Sequence, residues 1–149
     1  EELLAEEENF IANASNLASL LFNSLENINW AGFYLFDGRE LVLGPFMGKP
    51  ACIRIAPGKG VCGTAFSKKQ TVIVNDVHKF QGHIPCNGAS NSEIVVPLIK
   101  NEKLYGVLDI DSPVFSRFGT NEKEALENMA EILLNSSDMV KLEKYYNWK

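Results

Sequence analysis

Two segments of this sequence each have the pattern of a β-hairpin. Residues 30–36 are aromatic or aliphatic, the dipeptide Asp37-Gly38 follows, and residues 40–46 contain a second apolar run. Asp-Gly between two such runs indicates a hairpin, because these residues tolerate the positive φ that tight turns require. Residues 93–100 and 103–111 repeat the pattern around a short turn. The sequence therefore predicts an antiparallel sheet.

Helical patterns precede and follow the two hairpins. An apolar stripe with spacings of three and four residues predicts a helix over about residues 2–26. Thr120 or Asn121 is the predicted N-cap of a later helix, and residues 138–149 are predicted to form a helical tail. The later helix is expected to bury Leu126, Met129, Ala130, Leu133 and Leu134.

The region between the hairpins has shorter elements. Residues 51–55 predict a third strand, residues 61–69 one or two helical turns, and residues 71–74 a short β-branched strand. Residues 75–91 are polar and without periodicity, which predicts a long surface loop of the kind that usually serves a function. The fold class is α+β: a central antiparallel sheet with helices packed on it.

Composition excludes several classes of function. The chain has 149 residues, of which 46% are hydrophobic and 22% charged, as expected of a globular domain. A net charge of −5 without clustered Lys and Arg argues against a nucleic-acid partner. No apolar run is long enough to span a bilayer, so we expect no membrane partner and a cytoplasmic location. An odd number of cysteines then predicts free or transiently oxidised thiols.

Three acidic residues are predicted to meet at one end of the second hairpin. Asp109 and Asp111 are two apart on a strand, so they share a face of the sheet. Glu93 begins the partner strand, and in an antiparallel pair these two ends are neighbours. Three converging carboxylates would suit the ammonium group of a small molecule. A solvated strand end fits the same spacing equally well.

The three cysteines have different surroundings in the sequence. Cys86 lies in the long loop beside Pro85, where a thiol is expected to be accessible and able to react. Cys52 alternates with apolar residues and has the pattern of a buried hydrophobic position. Cys62 begins a short helix after a glycine-rich segment, where backbone N–H groups would lower the pKa of a thiol. From the residues alone, Cys62 is therefore a rival to Cys86 as the nucleophile.

Two further patterns bear on a candidate site. Trp30 and Tyr34 are four apart on the first strand, so they share one face and form either sheet core or the wall of a pocket. A zinc site built from His78, His83 and cysteines is not favoured, because the sequence has no Cys-x-x-Cys pair. We therefore predict no metal site.

Five segments of the chain resemble the motifs of one enzyme family. They are residues 29–34 (NWAGFY), 44–46 (GPF), 58–65 (GKGVCGTA), 90–98 (SNSEIVVPL) and 106–112 (GVLDIDS). Together they resemble the free methionine-(R)-sulfoxide reductases, which are GAF domains. The resemblance extends from about residue 29 to about residue 134. It implies one GAF domain over residues 1–149, with the sheet and active-site loops at about 29–112 and helices at about 120–149.

The resemblance also implies roles for individual residues. Cys86 matches the attacking cysteine and Cys52 the resolving one, with Cys62 as an auxiliary or alternative resolver. The acidic residues of the family that bind the substrate match Glu93, Asp109 and Asp111. Trp30 and Tyr34 match the wall around the methyl group and side chain of the substrate.

The implied reaction reduces free methionine (R)-sulfoxide through a cysteine sulfenic acid and an intramolecular disulfide. Thioredoxin or another dithiol is the expected reductant, and neither a metal nor an organic cofactor is needed. A homodimer is expected, because the first helix and the tail supply additional apolar surface. The alternative is a GAF module that senses a small molecule or a redox state without catalysis.

Overall fold

In the computed structural model, which describes residue 4, residues 6–86 and residues 88–146, one curled antiparallel sheet forms the centre of the molecule. Within this part of the chain the sheet has six strands in the order β3-β2-β1-β6-β5-β4. The strands are β1 (Trp30–Phe36), β2 (Leu41–Gly48), β3 (Arg54–Ile55), β4 (Val72–Val74), β5 (Ser92–Lys100) and β6 (Lys103–Ser112). The helices are α1 (Phe10–Ser24), α2 (Gly60–Lys68), α3 (Thr120–Ser136) and α4 (Met139–Tyr146), with a 3-10 turn at Val77–Lys79.

The strands divide the apolar residues between two cores. On β1, Ala31, Phe33 and Leu35 face the larger core, which they share with α1, α3 and α4. Trp30 and Tyr34 point to the opposite face, where α2 covers a smaller core. Successive side chains of a strand alternate between faces, so both sides of β1 are buried. The smaller core is the one that contains the candidate site.

Both predicted hairpins are present. In the first turn, Asp37 Oδ1 accepts hydrogen bonds from the backbone N–H groups of Arg39 and Glu40 at 2.9 and 3.0 Å. In the second hairpin, the register pairs Glu93 with Asp111 directly across the two strands. The prediction that these two strand ends are neighbours is therefore confirmed.

Several predicted boundaries are wrong. The first helix begins at Phe10 rather than near residue 2, because the side chain of Asn9 accepts a hydrogen bond from the backbone N–H of Ala12 and so caps the helix. Residues 1–3 and 5, which the predicted helix also included, lie outside the described residues. Only Arg54 and Ile55 of the predicted third strand pair with β2.

The N-cap of α3 is Gly119, not Thr120 or Asn121. Its backbone N–H donates to the carboxylate of Glu122 at 2.9 Å, which fixes the start of the helix. The tail helix ends at Tyr146, and residues 147–149 lie outside the described part of the chain. Among the described residues, no helix combines the length and the apolar character needed to cross a bilayer.

Candidate active site

The acidic side chains lie on one face of the sheet because of the strand register. Asp111 of β6 is paired with Glu93 on one side and with Trp30 of β1 on the other. Asp109, two residues earlier on the same face, is opposite Gly32. This face is the one that α2 covers, so the predicted convergence of the three acids takes place under a helix and not at a solvated strand end.

Burial dominates the electrostatics of these acids. Glu93 and Asp109 are only 7% and 5% exposed. Desolvation, followed by the charges of Asp109 and Asp111, raises the pKa of Glu93 well above its ordinary value. Desolvation and then the charge of Asp109 likewise raise the pKa of Asp111 well above its ordinary value. Burial also raises the pKa of Asp109, although hydrogen-bonding contacts with its neighbours oppose that effect. The cluster therefore retains protons that an isolated carboxylic acid would lose.

The third cysteine lies directly against this cluster. Cys62 is 4% exposed and is not part of a disulfide, and its Sγ is 3.9 Å from Oε2 of Glu93. Burial, then the charges of Asp109, Glu93 and Asp111, raises the pKa of this thiol well above its ordinary value. The expectation that the helix N-terminus lowers the pKa of Cys62 is thus wrong, because desolvation and nearby anions outweigh the helix dipole.

The other two cysteines are joined. Cys52, which precedes β3, and Cys86, in the long loop, form a disulfide across 34 residues of sequence with their Cα atoms 5.3 Å apart. Both are half-buried and not enclosed in the core, so the prediction of Cys52 as a buried hydrophobic position is wrong. The pairing is the one that the family resemblance implied.

The two aromatic residues connect the sheet to the disulfide. The Trp30 ring stacks with Phe46 and with Tyr34, at centroid distances of 5.3 and 5.9 Å. Its Nε1 donates to the carbonyl oxygen of Lys49 at 3.1 Å. The hydroxyl of Tyr34 donates to the carbonyl oxygen of Cys52 at 2.9 Å. Stacking and one hydrogen bond therefore hold each ring in place.

One cavity brings all of these groups together. It lies between the sheet, α2 and the long loop, and its volume is about 40 Å³. Its lining includes both aromatic rings, the three acids and two of the three cysteines. The lining residues are Trp30, Tyr34, Ala51, Ile55, Lys59, Gly60, Val61, Cys62, His83, Ile84, Cys86, Ser90, Glu93, Asp109 and Asp111. Since one water needs roughly 10–15 Å³ of such space, only a few waters fit while the disulfide is closed.

Sequence reasoning did not identify some of these lining residues. Lys59 and His83 bring basic groups to the cavity, and the first turn of α2 enters it without a side-chain cap or an acidic residue. Ser90 makes a hydrogen-bonding contact with Asp111 that opposes the rise in its pKa. The position of His83 three residues before Cys86 was visible in the sequence, but nothing in the spacing indicated which way the loop folds.

The turn before β5 connects the end of that strand to the end of β6. The backbone N–H of Asn91 donates to Ser112 at 2.7 Å, and its side chain contacts Pro113 and Nε2 of His78, both at 2.8 Å. These contacts hold the ends of β5 and β6 together. In the described residues, neither histidine joins a group of side chains that could hold a metal ion.

Comparison with known proteins agrees with this geometry. A family model of the GAF domain matches residues 12–134. The free methionine-R-sulfoxide reductase of Escherichia coli (strain K12) is 52% identical over 127 residues, which cover 85% of this chain and 77% of that protein. The chain belongs to the free methionine-R-sulfoxide reductase family of GAF domains. The predicted family and fold class are thereby confirmed.

Two further members of this family support the assignment. The free methionine-R-sulfoxide reductase of Saccharomyces cerevisiae (strain ATCC 204508 / S288c) is 48% identical over 136 residues, covering 86% of this chain and 76% of that protein. The structure of fRMsr of Staphylococcus aureus in complex with substrate is 51% identical and has a TM-score of 0.87. That match covers 91% of this chain and 88% of the other.

Proposed function

We propose that this chain reduces free L-methionine (R)-sulfoxide to L-methionine with cysteine thiols as the electron donors. The observation that carries the proposal is the position of the Cys52–Cys86 disulfide at a cavity that also contains Glu93, Asp109 and Asp111. A sulfur nucleophile and a cation-binding cluster thus share one small space. The names of the similar proteins supply the substrate and its handedness.

In the reduced protein, Cys86 is the nucleophile. Its thiolate attacks the sulfoxide sulfur, and the oxygen takes up a proton. The transient S–S bond and the S–O bond of the substrate then break as the oxygen is transferred to Cys86, which leaves a cysteine sulfenic acid and releases methionine. The thiol of Cys52 then attacks this sulfenic sulfur, which forms the disulfide and releases water. Cys52 is favoured over Cys62 as the resolving residue, because the structure joins Cys52 to Cys86 and keeps Cys62 buried.

The acid cluster binds the substrate ammonium and supplies the proton. Asp109 and Asp111 each have a buried Oδ1 without a hydrogen-bond partner, which suits a positively charged donor. Glu93 and Asp111, with strongly raised pKa values, are the two candidates for the proton donor to the sulfoxide oxygen. The stacked rings of Trp30 and Tyr34 provide the apolar wall for the methyl group and side chain.

The substrate carboxylate is assigned to the start of α2. The turn at residues 90–92 is less suitable, because the backbone N–H of Asn91 already donates to the carbonyl oxygen of Ser112. The first turn of α2 and Lys59 instead present a positive end to the same cavity.

Recycling requires an external dithiol, and we assign thioredoxin to this step. Cys52 and Cys86 are both partly exposed, so a protein dithiol can reach the bond by thiol–disulfide exchange. No metal or organic cofactor takes part in this cycle. A cytoplasmic location, where reduced thioredoxin is available, belongs to the same proposal.

The main experiment couples turnover to NADPH through thioredoxin reductase and thioredoxin, with separated sulfoxide diastereomers. We expect consumption with free methionine (R)-sulfoxide and none with its N-acetylated form, which lacks the ammonium group. Cys86→Ser should abolish turnover. Cys52→Ser should release one methionine per chain and leave a sulfenic acid that a dimedone-type reagent traps. An inactive wild-type protein, or full activity of Cys86→Ser, would favour the sensor alternative.

The acid cluster has its own test. Asp109→Asn should raise the KM for the sulfoxide at least tenfold, a change that corresponds to about 1.4 kcal/mol. The control is Glu127→Gln on α3, which removes an exposed carboxylate that pairs with Lys123. Equal KM values in these two variants would contradict the assigned role.

We also propose a homodimer through the outer face of α1 and the surface of α4. Ile11 and Leu20 on α1 are 39% and 45% exposed, and Val140 on α4 is 62% exposed. Sedimentation should give twice the chain mass, and the double variant Leu20→Glu, Val140→Glu should give a monomer. A monomeric wild-type protein at micromolar concentration would refute the proposal.

A further inference from the structure

Cys62 is a buried thiol that the proposed catalytic cycle does not use. It lies in the first turn of α2 against the acid cluster, and its Sγ, one oxygen of Glu93 and one of Asp109 all lie within 4.8 Å of one another. All three residues are buried. Among the described residues, this is the group of Cys, His, Asp and Glu side chains whose ligand atoms lie close enough together to hold one metal ion.

Two carboxylate oxygens beside this group are unsatisfied, and they are the oxygens that the proposed function assigns to the substrate ammonium. Oδ1 of Asp109 is buried and has no hydrogen-bond partner, although the residue is only 5% exposed. Asp111 lines the same cavity, and its Oδ1 is also buried without a hydrogen-bond partner. Buried carboxylate oxygens without partners are costly, and a cation is the partner that satisfies several of them at once.

We propose that Cys62, Glu93 and Asp109 form a binding site for a thiophilic divalent cation of the zinc type. While it is bound, the cation excludes the ammonium group of the substrate from the acid cluster. A tetrahedral zinc ion holds sulfur at about 2.3 Å and carboxylate oxygen at about 2.0–2.2 Å. The three ligand atoms would then be roughly 3.5 Å apart. The 3.9 Å between Sγ of Cys62 and Oε2 of Glu93 is close to this separation.

The donors and the size of the cavity select the type of ion. A thiolate with two carboxylates is a mixed sulfur and oxygen set, which suits zinc, cadmium or cobalt better than magnesium or calcium. Magnesium keeps an octahedral shell with several waters, and a cavity of about 40 Å³ does not hold that shell. Oδ1 of Asp111 or one water completes the tetrahedron. The protons of the thiol and carboxyl groups leave to solvent as the ion enters, and no electron is transferred.

The binding test uses the protein with its Cys52–Cys86 disulfide intact, so that Cys62 is its one thiol. Titration with Co²⁺ should give one equivalent of binding, with an absorption band in the near ultraviolet from sulfur-to-cobalt charge transfer and visible bands of a tetrahedral ion. Zn²⁺ should displace the cobalt and so remove the near-ultraviolet band and the visible bands. Absence of the near-ultraviolet band would overturn the proposal.

Variants distinguish cobalt binding at this site from adventitious binding elsewhere on the protein. Cys62→Ser should lose the near-ultraviolet band, and Asp109→Asn should bind cobalt at least tenfold more weakly. Glu127→Gln on the far side of the sheet should bind as the wild type does. If Cys62→Ser does not fold, Asp109→Asn and Glu93→Gln carry the test. A band that survives in Cys62→Ser, or equal affinity in all acid variants, would place the ion elsewhere.

The exclusion of substrate rests on the proposed function, and a kinetic experiment tests it separately. In the thioredoxin-coupled assay, micromolar Zn²⁺ should raise the KM for methionine sulfoxide without changing kcat. Reduction of insulin by the same thioredoxin system is the control for an effect on thioredoxin itself. A fall in kcat at unchanged KM would contradict exclusion. Cobalt binding without any turnover in the absence of zinc would refute the proposed function and leave the metal site standing.

Discussion

The hydroxyl of Tyr34 donates a 2.9 Å hydrogen bond to the backbone carbonyl oxygen of Cys52. Tyr34 is fixed in the centre of the sheet, whereas Cys52 lies in the irregular segment before β3. The tyrosine therefore helps to hold the backbone of the resolving cysteine of the proposed cycle in place.

Tyr34→Phe should slow disulfide formation more than methionine release. Loss of one neutral hydrogen bond corresponds to about 1 kcal/mol, so closure of the disulfide should slow roughly fivefold. Rapid quenching of a single turnover measures methionine, and thiol counting of the same samples measures the disulfide. Tyr105→Phe, a partly buried tyrosine that packs on the larger core, is the control. Equal slowing of both steps would show that Tyr34 acts only on the substrate.

Gly32→Ala should disturb the wall of the cavity. An added Cβ would lie 2.8 Å from Cη2 of Trp30 and 2.9 Å from Cα of Phe46. Overpacking of this kind costs about 1–3 kcal/mol, and we expect that loss in urea unfolding together with a higher KM for the sulfoxide. The control is Gly88→Ala, since a Cβ there meets no atom within 4 Å. Unchanged unfolding of Gly32→Ala would contradict the observed packing.

Cys62 should resist alkylation in the native protein. Burial, followed by the charges of three acids, raises the pKa of its thiol and keeps it protonated. With the disulfide intact, mass spectrometry should show modification by iodoacetamide roughly tenfold or more slower than in urea at the same pH. Equal rates in native and unfolded protein would show that the thiol is accessible and ionised.

Asp37 should make stability depend on pH in the acid range. Partial burial acts to raise its pKa, but hydrogen bonds from the backbone of Glu40 and Arg39 and from Arg54 lower it below the ordinary value. Because the folded-state pKa is below that of the unfolded chain, the carboxylate adds stability that is present above about pH 4. This stability is lost as the pH falls through the folded-state pKa.

The corresponding variant is Asp37→Asn, which keeps an oxygen acceptor but loses the ion pair with Arg54. Its free energy of unfolding should be about 1 kcal/mol below that of the wild type at pH 7, because hydrogen bonds to charged groups are the stronger ones. The difference should shrink as the pH falls below 4. A difference that is constant from pH 7 to pH 2 would mean that ionisation of Asp37 contributes nothing.

The sheet was predictable because its signals are local. Alternation of apolar residues and two short turns determine which residues of each strand share a face, and they place Glu93 beside Asp111. The start of α1 was not predictable to the residue, since an acidic run before Asn9 is also compatible with helix. The starting residue of α1 depends on one capping hydrogen bond, from the backbone N–H of Ala12 to the side chain of Asn9.

The site was less predictable where it depends on packing between distant elements. Cys62 is 31 residues from Glu93 in sequence and reaches it only because α2 packs across the sheet. Reasoning from the helix terminus gave the wrong direction for its pKa, because local sequence does not reveal desolvation by that packing. The disulfide partner of Cys86 came from family resemblance, since three cysteines allow more than one pair.

The pairing of Glu93 with Asp111 depends on the length of the turn at residues 101–102. Adding or deleting one residue there shifts the register, and every side chain of one strand then changes faces. Either the carboxylates or Ile94 and Ile110 of the larger core would end on the wrong side. Asn101 and Glu102 both have positive φ, so this two-residue turn is restricted in residue type as well as in length.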